Sequence, residues 1–193
     1  LKEERKLLIT IVSGLPRSGT SLMMQMLAAG GLPSLTDGDR KPDIDNPRGY
    51  CEWEPIKQLP KDPMLIDQSE GKAVKIITQL LLSVPKGRDY KLIFMERPIP
   101  EVLASQDEML KRRGTKDLAD HAIMTNAFKE HLKAVAAFLE RRDDLPLLRV
   151  GYRKLIDDPA GRAKAIRDFL GQELDVNAMT LQVDPALYRN KRP

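Results

Sequence analysis

The sequence predicts a single α/β domain with a central parallel sheet flanked by helices, and three observations carry that prediction. Apolar runs recur at residues 7–13, 73–77, 91–95 and 146–150, each short enough to be a buried strand. Three of them are followed by a helical pattern, and strand–helix alternation builds parallel sheets. The first strand leads into the glycine-containing turn Gly14-Leu-Pro-Arg-Ser-Gly-Thr-Ser21. At 193 residues the chain is long enough for one domain with a sizeable core.

Strand, glycine loop and helix form the P-loop type of nucleotide-binding unit. Gly14 and Gly19 let the backbone turn sharply beside a ligand, and Arg17 adds a positive charge. The N–H groups of Ser18, Gly19, Thr20 and Ser21 stand at a helix start, where donors lack intrahelical partners and can point at an anion. Leu22, Met23, Met26 and Leu27 recur at helical spacing until Gly30-Gly31 stops the helix. Gly14 and Gly19 have the spacing of a nucleoside-triphosphatase loop, but Thr20 stands where that loop carries its lysine.

Residues 31–63 are irregular, with six prolines among charged residues. A loop that long is usually functional, and it is expected to act as a lid or acceptor-binding segment. The strand at 91–95 ends in Glu96-Arg97-Pro98, and a helix begins near Pro100. An arginine at a strand's carboxyl end and Ser105 on the next helix can converge on one anion. The helix expected at 117–141 shows an apolar face of Leu118, Met124, Phe128, Leu132, Val135 and Leu139; His121 and His131 lie too far apart to be a helical metal-ligand pair. Asp158-Pro159 opens the last clear helix and Gly171 closes it.

Composition narrows the function classes. Net charge is only +4 and aromatic residues are 5%, with no aromatic-interleaved basic stripe to suit nucleic acid. No apolar stretch approaches the roughly 20 residues of a membrane span, and no signal peptide is visible. Cys51 is the only cysteine, so there is no intrachain disulfide and no thiolate metal cluster. A cytoplasmic location is the simple expectation.

The motif Pro16-Arg-Ser-Gly-Thr-Ser21 resembles the 5′-phosphosulfate loop of sulfotransferases that use 3′-phosphoadenosine 5′-phosphosulfate. The resemblance is to bacterial sulfotransferases, with a looser one to tyrosylprotein sulfotransferases. It implies that Arg97 and Ser105 hold the donor's 3′-phosphate. Val150-Gly-Tyr-Arg-Lys-Leu155, followed by Asp158-Pro159 and Phe169-Leu-Gly171, resembles the family's later motif and implies a nucleotide contact for Tyr152, although Gly151 and Arg153 depart from it. The basic run Tyr188-Arg-Asn-Lys-Arg192 resembles a segment that many members return to the nucleotide, through Arg189 or Lys191 here.

The family reaction moves a sulfuryl group to an acceptor hydroxyl or amine, leaving adenosine 3′,5′-bisphosphate, and the resemblance implies no metal. Arg17 is suited to stabilise charge on the leaving phosphate, and the acceptor proton needs a base. Asn46-Pro-Arg-Gly-Tyr-Cys-Glu52 resembles a stretch of some bacterial members with Cys51 in place of an aromatic residue, and implies Glu52 as that base. Glu54 competes, but it precedes Pro55 at an expected helix start. Lys75, unusual inside the apolar run Ala73-Val-Lys-Ile-Ile77, is placed by the resemblance near the transferring sulfate, with Lys72 the weaker candidate. The polar 31–63 segment favours a sugar, peptide or polar metabolite as acceptor. Two alternatives stand: a nucleotide kinase-like enzyme with Glu96 ending a Walker-B-like strand, and a nucleotide-binding protein without turnover.

Overall fold

The computed structural model describes residues 7–38, 43, 49–112, 114 and 120–188. Four strands, β1 (Ile9–Gly14), β2 (Ala73–Lys75), β3 (Tyr90–Glu96) and β4 (Leu147–Gly151), form one sheet in the order β2-β1-β3-β4. Every pairing is parallel, with Val12 opposite both Lys75 and Ile93, and Phe94 opposite Arg149. The strands predicted at 7–13, 73–77, 91–95 and 146–150 are all present, with ends that differ by one or two residues. β1 is buried along its whole length, Thr10 and Ser13 included, as expected of a strand covered by helices on both faces of a parallel sheet.

Side-chain alternation divides the core in two. Val12, Ala73, Ile93 and Met95 face α1 (Thr20–Ala29), α6 (Pro159–Leu170) and α7 (Val176–Thr180). Ile9, Ile11, Val74, Leu92 and Phe94 face the opposite layer, with Val135 of α4 (His121–Leu139) and with Trp53, Ile56 and Leu59 from the 3₁₀ turn Glu54–Gln58 and its flanks. The irregular 31–63 segment therefore contributes to the core. Its start is tied to the sheet edge, where Leu35 N–H donates to the Ala73 carbonyl at 2.8 Å and Ala73 N–H to the Pro33 carbonyl at 2.7 Å.

Helix ends follow local chemistry. Asp158 caps α6 by accepting from Gly161 N–H, Pro159 is its first residue, and Gly171 ends it in the left-handed conformation, φ 64°. Asp120 caps α4 by accepting from Ala122 and Ile123 N–H, a start the apolar periodicity beginning at 117 does not reveal. Residues 115–119 lie outside the described residues, as do Arg189 and Lys191. α3 (Ile99–Arg112) and α4 pack through Val102, Leu103 and Phe128 around Leu15 of the first loop. A small helix, α5 (Tyr152–Asp157), follows β4 directly, and a short helix, α2 (Thr78–Leu81), follows β2. Among the described residues no helix is long and apolar enough to cross a membrane.

Candidate functional site

At the carboxyl ends of β1, β2 and β3 lies a cleft of about 610 Å³ lined by Gly14 to Arg17, Gly19 to Leu22, Glu52, Lys75, Arg97, Ser105 and Tyr152, among others. The first loop forms its floor. Gly19, Thr20, Ser21 and Leu22 N–H make no hydrogen bond within the described chain, because the first α1 bond runs from Met23 N–H to the Gly19 carbonyl. Four backbone donors at a helix start are an anion cradle. Ser18 is placed differently from Gly19, Thr20 and Ser21. Its N–H is spent on the Leu15 carbonyl at 3.1 Å, and its side chain is buried beneath the loop rather than lining the cleft. The fourth donor is Leu22, one residue beyond the motif.

The loop's glycines are fixed by close approach. Gly14 has φ 154°, and a Cβ there would stand 2.7 Å from the Met95 carbonyl oxygen. Gly19 has φ 98°, and its Cβ would overlap the Tyr152 ring. Gly19→Ala is therefore expected to cost about 1–3 kcal/mol of stability and to weaken anion binding by displacing loop or ring. Gly31 is the control: its φ is 100° but a Cβ there meets nothing within 4 Å. Thermal midpoints of the two variants separate collision from φ strain, and equal losses would mean that the Tyr152 contact is unimportant.

Arg17 itself occupies the left-handed region, φ 67°, a conformation that costs a non-glycine residue about 1–2 kcal/mol. Two bonds hold it. Arg97 Nη1 donates to the Arg17 carbonyl at 3.0 Å, and Arg17 Nε donates to Ser105 Oγ at 3.1 Å. The first loop and the Arg97–Ser105 pair, read from separate segments of sequence, thus form one hydrogen-bonded wall of the cleft.

Arg97 is the hub of that wall. Its Nε donates to Glu101 Oε2 at 3.0 Å, an ion pair whose side chains are only 7% and 5% exposed. Tyr188 Oη donates to the same carboxylate at 2.9 Å. The guanidinium lies over the Tyr152 ring at 4.8 Å and the Tyr188 ring at 5.3 Å, and the two rings meet edge to face. Burial pushes both phenols up; for Tyr188 the bond to Glu101 adds to this, while for Tyr152 the nearby Arg97 opposes it. Both stay protonated as donors. Sequence reasoning missed Glu101 and Tyr188; the signal for Glu101 was its position four residues after Arg97 on α3, one turn along.

The opposite wall carries Lys75 and Glu52. Lys75 ends β2 on the face that meets α1 and is 8% exposed. Its Nζ donates to Glu52 Oε1 at 3.0 Å, the Tyr50 carbonyl at 2.9 Å and Ser21 Oγ at 3.4 Å. That network explains how a lysine tolerates an apolar strand. Gln25 Nε2 donates to the Gly49 carbonyl at 2.9 Å, holding the incoming segment against α1. Cys51 sits between, at φ 49°; burial pushes its thiol up against the pull of Lys75, so it stays un-ionised. Glu54 opens the 3₁₀ turn, lines the cleft rim and pairs with Lys57 at 2.6 Å. Lys72 donates to the Gln68 carbonyl instead of joining the cleft. Glu96 turns to Arg149 at 2.8 Å. His121 bonds Asp107, and among the described residues no group of three or more His, Cys, Asp or Glu is placed to hold a metal ion.

No family model and no curated protein sequence matches this chain. Solved structures do. The sulfotransferase domain of the Synechococcus PCC 7002 olefin synthase is 19% identical, with 100% of this chain and 92% of that one covered and a TM-score of 0.58. Sulfotransferase STF1 from Mycobacterium tuberculosis H37Rv gives 15% identity, 95% and 74% coverage and a TM-score of 0.61. The sulfotransferase domain of the curacin biosynthetic pathway gives 14%, 98%, 93% and 0.52. At these identities the likeness is one of fold, and the fold of this chain is that of the sulfotransferase domains.

Proposed function

We propose that this chain, built on the sulfotransferase fold, transfers a sulfuryl group from 3′-phosphoadenosine 5′-phosphosulfate to an acceptor hydroxyl or amine. One observation carries the reading: the bond between Arg17 and Ser105 joins two anion-binding sets, the loop N–H groups and the Arg97–Ser105 pair, on a single wall. A nucleotide with anions at both its 5′ and 3′ positions needs two such sets side by side. Tyr152, stacked on Arg97 and lining the same cleft, is suited to meet the nucleoside between them.

In this reading the loop N–H groups and Arg17 hold the 5′ end and stabilise the negative charge that grows on the leaving phosphate. Glu52 accepts the acceptor's proton as the acceptor atom bonds to sulfur and the bridging sulfur–oxygen bond breaks. Lys75 holds the Glu52 carboxylate and adds a cation beside the transferring group. The segment 31–63 supplies Tyr50, Glu52, Trp53 and Ile56 to the cleft and serves as the acceptor-binding loop. A kinase-like role for Glu96 is disfavoured by its exposed pairing with Arg149.

Calorimetry tests the reading. Charge-assisted hydrogen bonds of about 1.5–3 kcal/mol predict that adenosine 3′,5′-bisphosphate binds about 10–150-fold more tightly than AMP. Transfer from labelled donor should survive excess EDTA, because Arg17 and Lys75 supply the positive charge that magnesium supplies in P-loop phosphoryl transfer. Tighter binding of ATP, or activity abolished by EDTA and restored by magnesium, would return the kinase-like alternative. Bisphosphate binding with no transfer to any acceptor would favour a binding protein.

A further inference from the structure

The acceptor end of the cleft has a chemistry of its own. Beyond Glu52 the segment continues into Trp53 and Ile56, and beyond Lys75 the chain continues into Ile77 and Leu80; all four line the cleft. Met109 of α3 with Met124 and Phe128 of α4 line it too. Apolar lining residues thus follow both Glu52 and Lys75 along the chain. Of the charged lining residues, Arg17, Glu52, Lys75 and Arg97 belong to the reaction centre and anion wall, Glu54, Lys57 and Glu108 are rim residues, and Arg112, exposed at the end of α3, and Asp184 line the cleft as well. Glu54 pairs with Lys57 at 2.6 Å and Glu108 with Lys111 at 3.2 Å, all more than 40% exposed.

We propose that the acceptor is a neutral alcohol carried on an apolar body, aliphatic or aromatic, whose hydroxyl donates to Glu52 while its body lies against Trp53, Ile77, Met124 and Phe128. The proposal rests on the sulfotransferase reading and narrows it. A sugar would bury several hydroxyls against these walls, and each one left without a partner would carry its full desolvation cost. An amine would arrive as an ammonium beside the Arg17 and Lys75 cations, where like charges repel. A single hydroxyl on a hydrocarbon body meets one carboxylate and buries the rest of its surface favourably. The polar composition of 31–63 pointed to a sugar, peptide or polar metabolite. Of that segment, Tyr50, Glu52, Trp53, Glu54, Ile56 and Lys57 line the cleft, and the proposal departs from the expectation by seating the acceptor body against Trp53.

Trp53 makes the test direct, because it is the only tryptophan in the chain, is 8% exposed and lines the cleft. Protein loaded with adenosine 3′,5′-bisphosphate is titrated with 1-decanol, methyl glucoside or decylamine while tryptophan emission is followed. Decanol is expected to give a saturable change at concentrations about 100-fold or more below methyl glucoside, with decylamine weaker than decanol. Labelled donor should yield decyl sulfate. Ile77 is 37% exposed and sits at the start of the short helix α2, so Ile77→Asp should fold. It should weaken the decanol response about 10-fold or more while leaving the bisphosphate titration unchanged. No saturable decanol response, a stronger response to glucoside or decylamine, or indifference to Ile77→Asp would each overturn the proposal. The nucleotide titration separates the two readings. Bisphosphate that fails to bind while decanol still binds would sink the sulfotransferase assignment and leave the apolar site standing.

Discussion

Glu52→Gln is expected to slow sulfate transfer about 10²–10⁴-fold, the usual loss when a general base is removed, with adenosine 3′,5′-bisphosphate affinity almost unchanged. The substitution keeps size and an oxygen that can still accept from Lys75 Nζ, 3.0 Å away in the native pair. That matters because Lys75 is 8% exposed against 25% for Glu52. Glu52→Ala would leave a nearly buried ammonium whose remaining partners, of those described, are two neutral oxygens, the Tyr50 carbonyl and Ser21 Oγ. Uncompensated buried charge can cost about 3–5 kcal/mol when fully enclosed, so the alanine variant would confuse folding with chemistry. Glu52→Gln also removes the countercharge of Lys75, so its thermal midpoint should fall, but by less than in Glu52→Ala because Lys75 Nζ keeps an acceptor there.

Glu54→Gln is the control. Its partner Lys57 is 59% exposed, and such pairs are worth about 0–1 kcal/mol, so this variant should turn over almost normally. Full activity in Glu52→Gln with collapse in Glu54→Gln would move the base to the rim. Full activity in both would mean that the base lies elsewhere or that the acceptor ionises unaided.

The fold was legible because its signals are local. A mostly apolar, β-branched run such as Ile9–Gly14 reads as a buried strand, and Asp158-Pro159 with Gly171 marks both ends of a helix by side-chain capping and left-handed backbone. The anion loop was legible for the same reason, since glycine spacing and a following helix are adjacent in sequence. What escaped were features made by distance in sequence. Ser18 could not be told from its neighbours, since only the folded turn spends its N–H on Leu15 and buries its side chain. Tyr188 reaches Glu101 across 87 residues, and no periodicity reports such a contact. Glu52 and Lys75 were each singled out, but their pairing joins a loop to a strand end 23 residues on. The α4 start was missed because the apolar pattern runs past Asp120, whose cap at Ala122 and Ile123 fixes the boundary.

Removing Arg97 together with the charge on Glu101 should erase the preference for the 3′-phosphate. Arg97→Ala alone is a poor probe, because it strands the Glu101 carboxylate, 5% exposed, with Tyr188 Oη as its one hydrogen-bond donor of those described. Arg97→Ala/Glu101→Gln removes both charges and keeps an acceptor for Tyr188. In the native chain, charge-assisted contacts of about 1.5–3 kcal/mol are expected to separate adenosine 3′,5′-bisphosphate from AMP by about 10–150-fold. In the double variant the two ligands should bind within about threefold of each other. Affinity for both should also fall, because Arg97 Nη1 holds the carbonyl of Arg17, a residue at φ 67° in the loop proposed to meet the 5′ end. The ratio of the two affinities, not their absolute values, therefore reports on the 3′-phosphate. Glu101→Gln alone keeps the arginine and its bond to the loop, and should preserve most of the ratio. A double variant that still prefers the bisphosphate as strongly as the native chain would show that the 3′-phosphate is held by other groups, and the two-set anion wall would lose its functional meaning.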